Sequence, residues 1–257
     1  GKINRMNMPV EDYLDTVIKN PSLKDIISQH FFKNTPAFFA LSYFSLYLDY
    51  FYPRGGVRVL AEKVKNKIIQ FGGEIQTETE ITEILAESRI VKDHQQRSYA
   101  YDDLIWAADL KAFYSMTETE GLQQDVCEKV EEMKRNVMNN RGGDSVFTLF
   151  LEVDEPVQRF GDIAHGHFFY TPSKQGLGQT LWSELDHLLQ NFEQTGKKQV
   201  LAWLDKFTQY NTYEISIPGL KDTDLTPAGQ TGVIISLLAE YELFSKVRQA
   251  GWYEEFK

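Results

Sequence analysis

Two histidines, His165 and His167, stand two residues apart in "HGHFFYTP", a stretch with strand character. That spacing puts both imidazoles on one face, a workable pair of zinc ligands if a third ligand converges from elsewhere. Asp162 is the one acid nearby, and zinc usually takes more protein ligands than this, so the pair reads as a half-exposed strand face and no metal centre is expected. Glu78, Glu80 and Glu83 with Asp102 and Asp103 could be imagined as paired catalytic carboxylates, but Glu78 and Glu80 alternate as solvent-facing strand residues do. Ser145 and Ser183 lack a G-x-S-x-G setting, and Cys127 sits in a charged helical stretch, so no nucleophile stands out. His30, His94 and His187 are isolated in sequence. Gly176-Leu177-Gly178 begins a dinucleotide fingerprint but lacks the third glycine and reads as a loop. Gly55-Gly56 could aim backbone N–H groups at an anion from the start of a helix, although a plain turn is the commoner use of such a pair. The catalytic residue is therefore unknown from the residues alone.

The elements that would position these groups are legible from periodicity. Asn20-Pro21-Ser22 opens a helix with Ser22 as its cap, and Ile26, Ile27 and Phe31 follow near helical spacing. The uncharged aromatic run after Pro36, "AFFALSYFSLYLDYFY", demands an apolar partner and reads as a buried helix, too short to span a bilayer; an interfacial lie stays open. Pro53 ends it. "VRVLAEKVKNKIIQF" then lays Val57, Leu60, Ala61, Val64, Ile68 and Phe71 along one stripe that should pack, and Gly72-Gly73 stops the helix. From Glu74 to Asp109 short alternating runs read as several strands, the last being "LIWAAD". A helix is expected over 122–138, strands over "SVFTLFLEVD" and "HGHFFYTP", helices over 181–192 and 197–207, and strands over "TYEISIP" and "TGVIISLLAEYEL".

Composition narrows the partners. With 257 residues and 42% hydrophobic content the chain can bury a core of one large or two ordinary domains, at ~150 residues each. A net charge of -10 has the wrong sign for a phosphate backbone, so no nucleic-acid partner is expected. One cysteine excludes an internal disulfide, and the first twenty residues lack the apolar core of a secretory signal, which favours a cytoplasmic protein. The chain starts "GKINRM" and ends within a helix-like run, so we expect a piece of something longer.

Taken in order, Tyr52-Pro53-Arg54-Gly55-Gly56, a helix, Gly72-Gly73-Glu74-Ile75, Thr79-Glu80-Ile81-Thr82-Glu83-Ile84 and the stretch from Ile105 to Asp109 resemble the middle of the phytoene desaturase and carotenoid isomerase family, within the flavin-containing amine oxidase superfamily. Fainter likeness continues through "SVFTLFLEVDEP" and "YEISIPGLKDTDLTPAGQTGVIIS". Trp106 departs from the small residue usual in that family just before its A-D strand end.

The resemblance implies a mixed α/β (α+β) fold: part of an FAD-binding Rossmann-like domain plus a substrate domain with a mixed or antiparallel sheet flanked by helices. Residues 1–52 would be a helical part of the substrate domain, 53–110 part of the FAD domain and 111–257 the sheet-containing substrate domain. It implies FAD as cofactor, with Gly55, Gly56, Ile81, Ala108 and Asp109 near it and the backbone of Ile81 meeting the adenine. The family's N-terminal G-x-G-x-x-G unit and C-terminal glycine-rich segment have no counterpart here, so this chain alone should hold flavin poorly. The substrate would be a hydrophobic small molecule of carotenoid type, passing a hydride to flavin, with Phe38, Phe39, Tyr43, Phe44 and Tyr47 as the wall of an apolar channel. Isomerisation or saturation of a polyene, amine or porphyrinogen oxidation, and a non-catalytic lipid-binding module at a membrane edge stand as alternatives, the last allowing peripheral contact with the inner face of a membrane.

Overall fold

A computed structural model of the chain describes residues 6–46, 50–140, 145–173 and 178–257. The fold is α+β, with twelve helices and two sheets, one mixed and one antiparallel, among the described residues. The chain divides into two compact units, one formed by Gly1–Glu62 with Gly143–Lys257 and the other by Lys63–Gly142.

In the first unit, α1 (Val10–Val17), α2 (Pro21–Ser28) and α3 (Ala37–Leu46) pack around Val10, Leu14, Phe31 and Ala40. The cap of α2 is Asn20, whose Oδ1 accepts from Leu23 N, with Pro21 at the first helical position; Ser22 lies inside the helix. Proline needs no N–H there, which leaves the residue before it as the cap. Helix α3 buries only Ala37 and Ala40, because its large residues run round the whole circumference and one neighbouring surface cannot cover them.

The antiparallel sheet of this unit has the order β5–β8–β7–β6, from β5 (Ser145–Val153), β6 (His167–Tyr170), β7 (Tyr213–Ser216) and β8 (Thr231–Ala239). The strand reading of "TGVIISLLAEYEL" stops at Ala239, where Glu240 caps a helix instead. Period-two alternation sorts the sheet into two faces. One carries Phe147, Leu149, Ile235, Leu237, Ile215 and Phe168 and is backed by helices: α7 (Val157–Gly161), α8 (Gly178–Gln190), α9 (Lys197–Tyr210), α10 (Pro218–Lys221), α11 (Tyr241–Gln249) and α12 (Tyr253–Phe256). Their main core joins Leu185, Val200, Trp203, Leu243 and Val247, and Trp203 Nε1 donates to Leu181 O at 3.1 Å, so the largest buried ring keeps its one polar group satisfied.

The second unit holds the mixed sheet, β3–β2–β1–β4, built from β1 (Ile81–Leu85), β2 (Ile90–Asp93), β3 (Ser98–Ala100) and β4 (Thr117–Glu118). The first three form an antiparallel meander, and β4 lies parallel to β1. Helices α5 (Leu110–Met116) and α6 (Gln124–Asn139) follow. Asp93 ties the meander: its carboxylate accepts from Gln95 N, Arg97 N, Arg97 Nε and Tyr99 Oη. Local desolvation pushes this carboxyl up, but the hydrogen bonds from Arg97, Tyr99 and Gln95 outweigh it and hold the pKa at about 2.

Two expectations fail around this unit. The stretch "LIWAAD" forms no strand, and Ile105 is 90% exposed. A strand needs a ladder partner, and none of the described residues supplies one to this stretch. Helix α4 (Arg58–Gln70) forms where the periodicity puts it, yet its stripe of Leu60, Val64 and Ile68 is exposed, as is Phe71 beyond its end. The stop at Gly72-Gly73 does form: Gly72 takes φ +81°, its N–H donates to Ile69 O, and Gly73 N–H donates to Ile68 O, the paired bonds of a Schellman cap.

Candidate functional site

The face of the antiparallel sheet opposite its helices gathers the titratable groups. Strand register lines them up in two cross-strand rows, Phe169, Glu214, Ser236 and Thr148 in one, His167, Ser216, Ile234 and Phe150 in the other. Alternation along "YEIS" is what sends Glu214 and Ser216 here while Tyr213 and Ile215 face the helices. Phe150 is 77% exposed, so an apolar ring lies open beside the polar groups.

At the β6–β7 edge the geometry becomes specific. His167 Nε2 donates to Glu214 Oε1 at 2.8 Å, the imidazole 16% and the carboxylate 46% exposed. Lys221 Nζ, on α10, donates to Ser216 Oγ at 3.0 Å and stands over the rings of Tyr50 and Tyr52, at 5.6 and 4.9 Å from their centroids. The Tyr50 ring in turn lies 6.2 Å from that of His167. His30, just past α2, sets its ring edge-on to Phe169 at 4.2 Å and near Phe44 at 5.8 Å, and its Nδ1 is sealed from solvent without a hydrogen-bond partner. His30, His167, Glu214 and Lys221 thus come from four different elements or their ends and share one aromatic-rimmed patch.

Electrostatics divide the labour among them. The hydrogen bond from His167 leads in pulling the Glu214 pKa down; burial opposes it, and the charges of His167, His30 and Lys221 add to the lowering. Burial pushes the His30 pKa down, and the Glu214 charge opposes it. A carboxylate bonded to an imidazole at 2.8 Å fixes that ring's orientation, so the pair offers an oriented imidazole at this face.

The positions singled out from sequence fall elsewhere. Phe38, Phe39 and Phe44 are exposed on α3, Tyr43 is half-buried against Phe31, and Tyr47 lies outside the described residues. Of the five, Phe44 alone has a described ring contact with a member of the titratable patch, His30. His165 sits in the loop before β6, exposed and off the strand, so it does not share a face with His167. Among the described residues no three His, Cys, Asp or Glu side chains converge as metal ligands. Gly176 and Leu177 of the partial glycine motif lie outside the described residues.

The glycine pair does meet an anion, and it is the chain's own. Gly56 N–H donates to Pro53 O across a tight turn in which Gly55 takes φ +85°, the third position of a type II turn, where glycine is wanted. Gly55 N–H is thereby aimed at Asp222 Oδ2, 2.6 Å away, and this bond leads in lowering the Asp222 pKa. That donor is consequently engaged. Asp109 likewise spends its carboxylate on Ala112 N at 2.7 Å as the cap of α5, with Ala108 exposed beside it. Ile81 is different. It pairs with Asp93 on the β2 side, while β4 reaches only Ile84 and Leu85, so the other backbone edge of Ile81 has no strand partner among the described residues.

The sequence reading missed Glu214, Lys221 and Tyr50 and weighed His30 and His167 separately. A carboxylate in mid-strand at Glu214 was the available signal; the register that pairs it with His167 depends on contacts 47 residues apart.

No family model matches the chain, and no curated protein matches it. Among solved structures, the PF1083 protein from Pyrococcus furiosus matches with a TM-score of 0.55 at 13% identity, over 97% of this chain and 54% of that one. The likeness is one of fold, and the chain spans about half of that protein's length. A reduced UDP-galactopyranose mutase overlaps less well, with a TM-score of 0.43 at 10% identity over 74% of this chain and 32% of that one.

Proposed function

We propose that the chain is the central portion of an FAD-dependent oxidoreductase resembling phytoene desaturases, in which a long apolar substrate lies on the polar face of the antiparallel sheet. One observation carries this reading. Up to its last piece, the Ile105–Asp109 stretch, which forms no strand, the segment bearing the resemblance folds in the order the resemblance implies, as a glycine turn, a helix with a glycine stop and an antiparallel meander beginning at Ile81. The chain then leaves that unit to complete a sheet with one helix-backed face and one face carrying His167, Glu214 and exposed Phe150.

When bound, FAD would supply the hydride acceptor. The chain's own residues would do the rest: Ile81 offers backbone to the adenine, Phe150, Phe169, Tyr50 and Tyr52 give apolar surface against which a substrate can lie, and the Glu214–His167 pair holds a proton at Nε2. Orientation and exclusion of water are the protein's part in such chemistry.

The visible absorption spectrum of the purified full-length protein tests the proposal. Flavin bands that bleach anaerobically on adding a polyene substrate are expected, with the present chain mixed with FAD showing none. A colourless full-length protein that takes up no added FAD would sink it. In that event exposed Phe38, Phe39 and Leu46 on α3 favour a lipid-binding module, read out by liposome co-sedimentation without flavin.

A further inference from the structure

On the opposite side of the antiparallel sheet, between its apolar face and α9, α11 and α12, lies a cavity of about 220 Å³. Its walls include Trp203, Phe207, Phe147, Leu149, Leu237 and Leu243. Its lining is mostly apolar, so a ligand that covers these side chains removes apolar surface from water. Water is a poor filling, because water in a protein interior needs several polar partners. The polar groups at the rim are already engaged: Thr208 Oγ1 donates to Asp205 O, Thr208 O accepts from Tyr213 Oη at 2.7 Å, the Glu240 carboxylate caps α11 through Glu242 N, and Lys257 Nζ pairs with Glu254 at 2.8 Å.

We propose that this interlayer cavity is a binding site for a slender, uncharged alkyl chain. Two aromatic stacks wall the space, Trp203 on Phe207 with centroids 5.0 Å apart and Phe147 on Phe244 at 5.9 Å, and their flat faces favour an extended hydrocarbon over a compact one. At roughly 30 Å³ for a group the size of a water or a methylene, the volume takes roughly six to eight carbons. An ionised headgroup finds the Glu240 carboxylate at the rim and a lysine already paired, so an alcohol or hydrocarbon is preferred to a fatty-acid anion. The site lies on the helix-backed face and is independent of the flavin reading.

The test uses the full chain at neutral pH with 1-octanol and octanoate as probes, read by Trp203 emission and by the shift in Tm, with Trp203→Phe identifying the fluorescence signal. Saturable binding of 1-octanol is expected, with octanoate about tenfold weaker or worse because its carboxylate would have to be desolvated. Ala239→Leu and, independently, Leu237→Phe fill the space and should each weaken 1-octanol about tenfold, the loss expected when a buried site no longer has room. Should one of these variants fail to fold, the other decides. A non-saturable response, binding left unchanged by the filling variants, or octanoate binding as tightly as 1-octanol would overturn the proposal.

Discussion

The helices of the first unit and helix α4 were specified in different ways, although both are amphipathic. In the first unit α9 and α11 bury Val200, Trp203, Leu243 and Val247 against one another, so their stability is tertiary. Helix α4 buries no residue; it rests on its Schellman stop and on local pairs such as Arg58–Glu62. A 13-residue helix on that footing is marginal in water. The comparison teaches that an apolar stripe states a requirement for a partner without saying which residues meet it. It also sets where substitutions should hurt.

The sharpest break falls in the first unit's core. Leu243 is 1% exposed and touches both the α8–α9 layer and the interlayer cavity. Leu243→Ala removes buried methyl groups from the core, so a loss of about 2–5 kcal/mol is expected in chemical denaturation. A loss below the scatter of surface substitutions would mean that the helix layer is not the stabilising core.

In the second unit the corresponding anchor is polar. The Asp93 carboxyl is held at about 2 against an ordinary 3.8, so its contribution is fully present above pH 3.8 and is lost as pH falls towards 2. The meander should open over that window, seen in the amide resonances of Gln95 and Arg97. Asp93→Asn should loosen the meander at neutral pH and erase the acid step; an identical acid transition in both proteins would contradict this.

A smaller pH effect separates the polar face from the rest of its unit. Burial lowers the His30 pKa from 6.5, so its neutral form is favoured in the fold and stability is complete above pH 6.5, then falls as the pH drops below it. Melting curves between pH 7.5 and 5.5 should show the decline, and His30→Leu, which keeps the ring contacts with Phe44 and Phe169 apolar, should flatten it. A slope unchanged in the variant would place the titration elsewhere.

Much of the fold was legible because it depends on local pattern. The Gly72-Gly73 stop, the extent of α6 and α9, and strands β5 and β8 follow from glycine conformational freedom and from periods of 3.6 and 2. What failed depends on partners. "LIWAAD" has strand composition but no ladder, and α3 has a core-like sequence but leaves Phe38 and Phe39 exposed. The candidate site was the least legible part, since His30, Glu214 and Lys221 meet only through the order β8–β7–β6 and the return of α2 beside β6. No spacing in the sequence encodes that meeting.

Helix α4 supplies the smallest effect and the cleanest test of the opening comparison. Val64 is 60% exposed and Ile68 39%, and neither belongs to a buried core, so replacing both with Gln empties no core position. The Tm of this chain should move little, within about 0.5 kcal/mol in stability, as for a surface site. Two other readouts should change. Self-association measured by light scattering should fall, because two apolar residues of the exposed stripe are gone. Amide exchange in α4 should be fast before and after substitution, against slow exchange in α9, because only α9 gains protection from tertiary burial. If the Val64→Gln and Ile68→Gln pair instead cost as much as Leu243→Ala, α4 would have a packing partner in solution, and the distinction between locally and tertiarily specified helices would collapse.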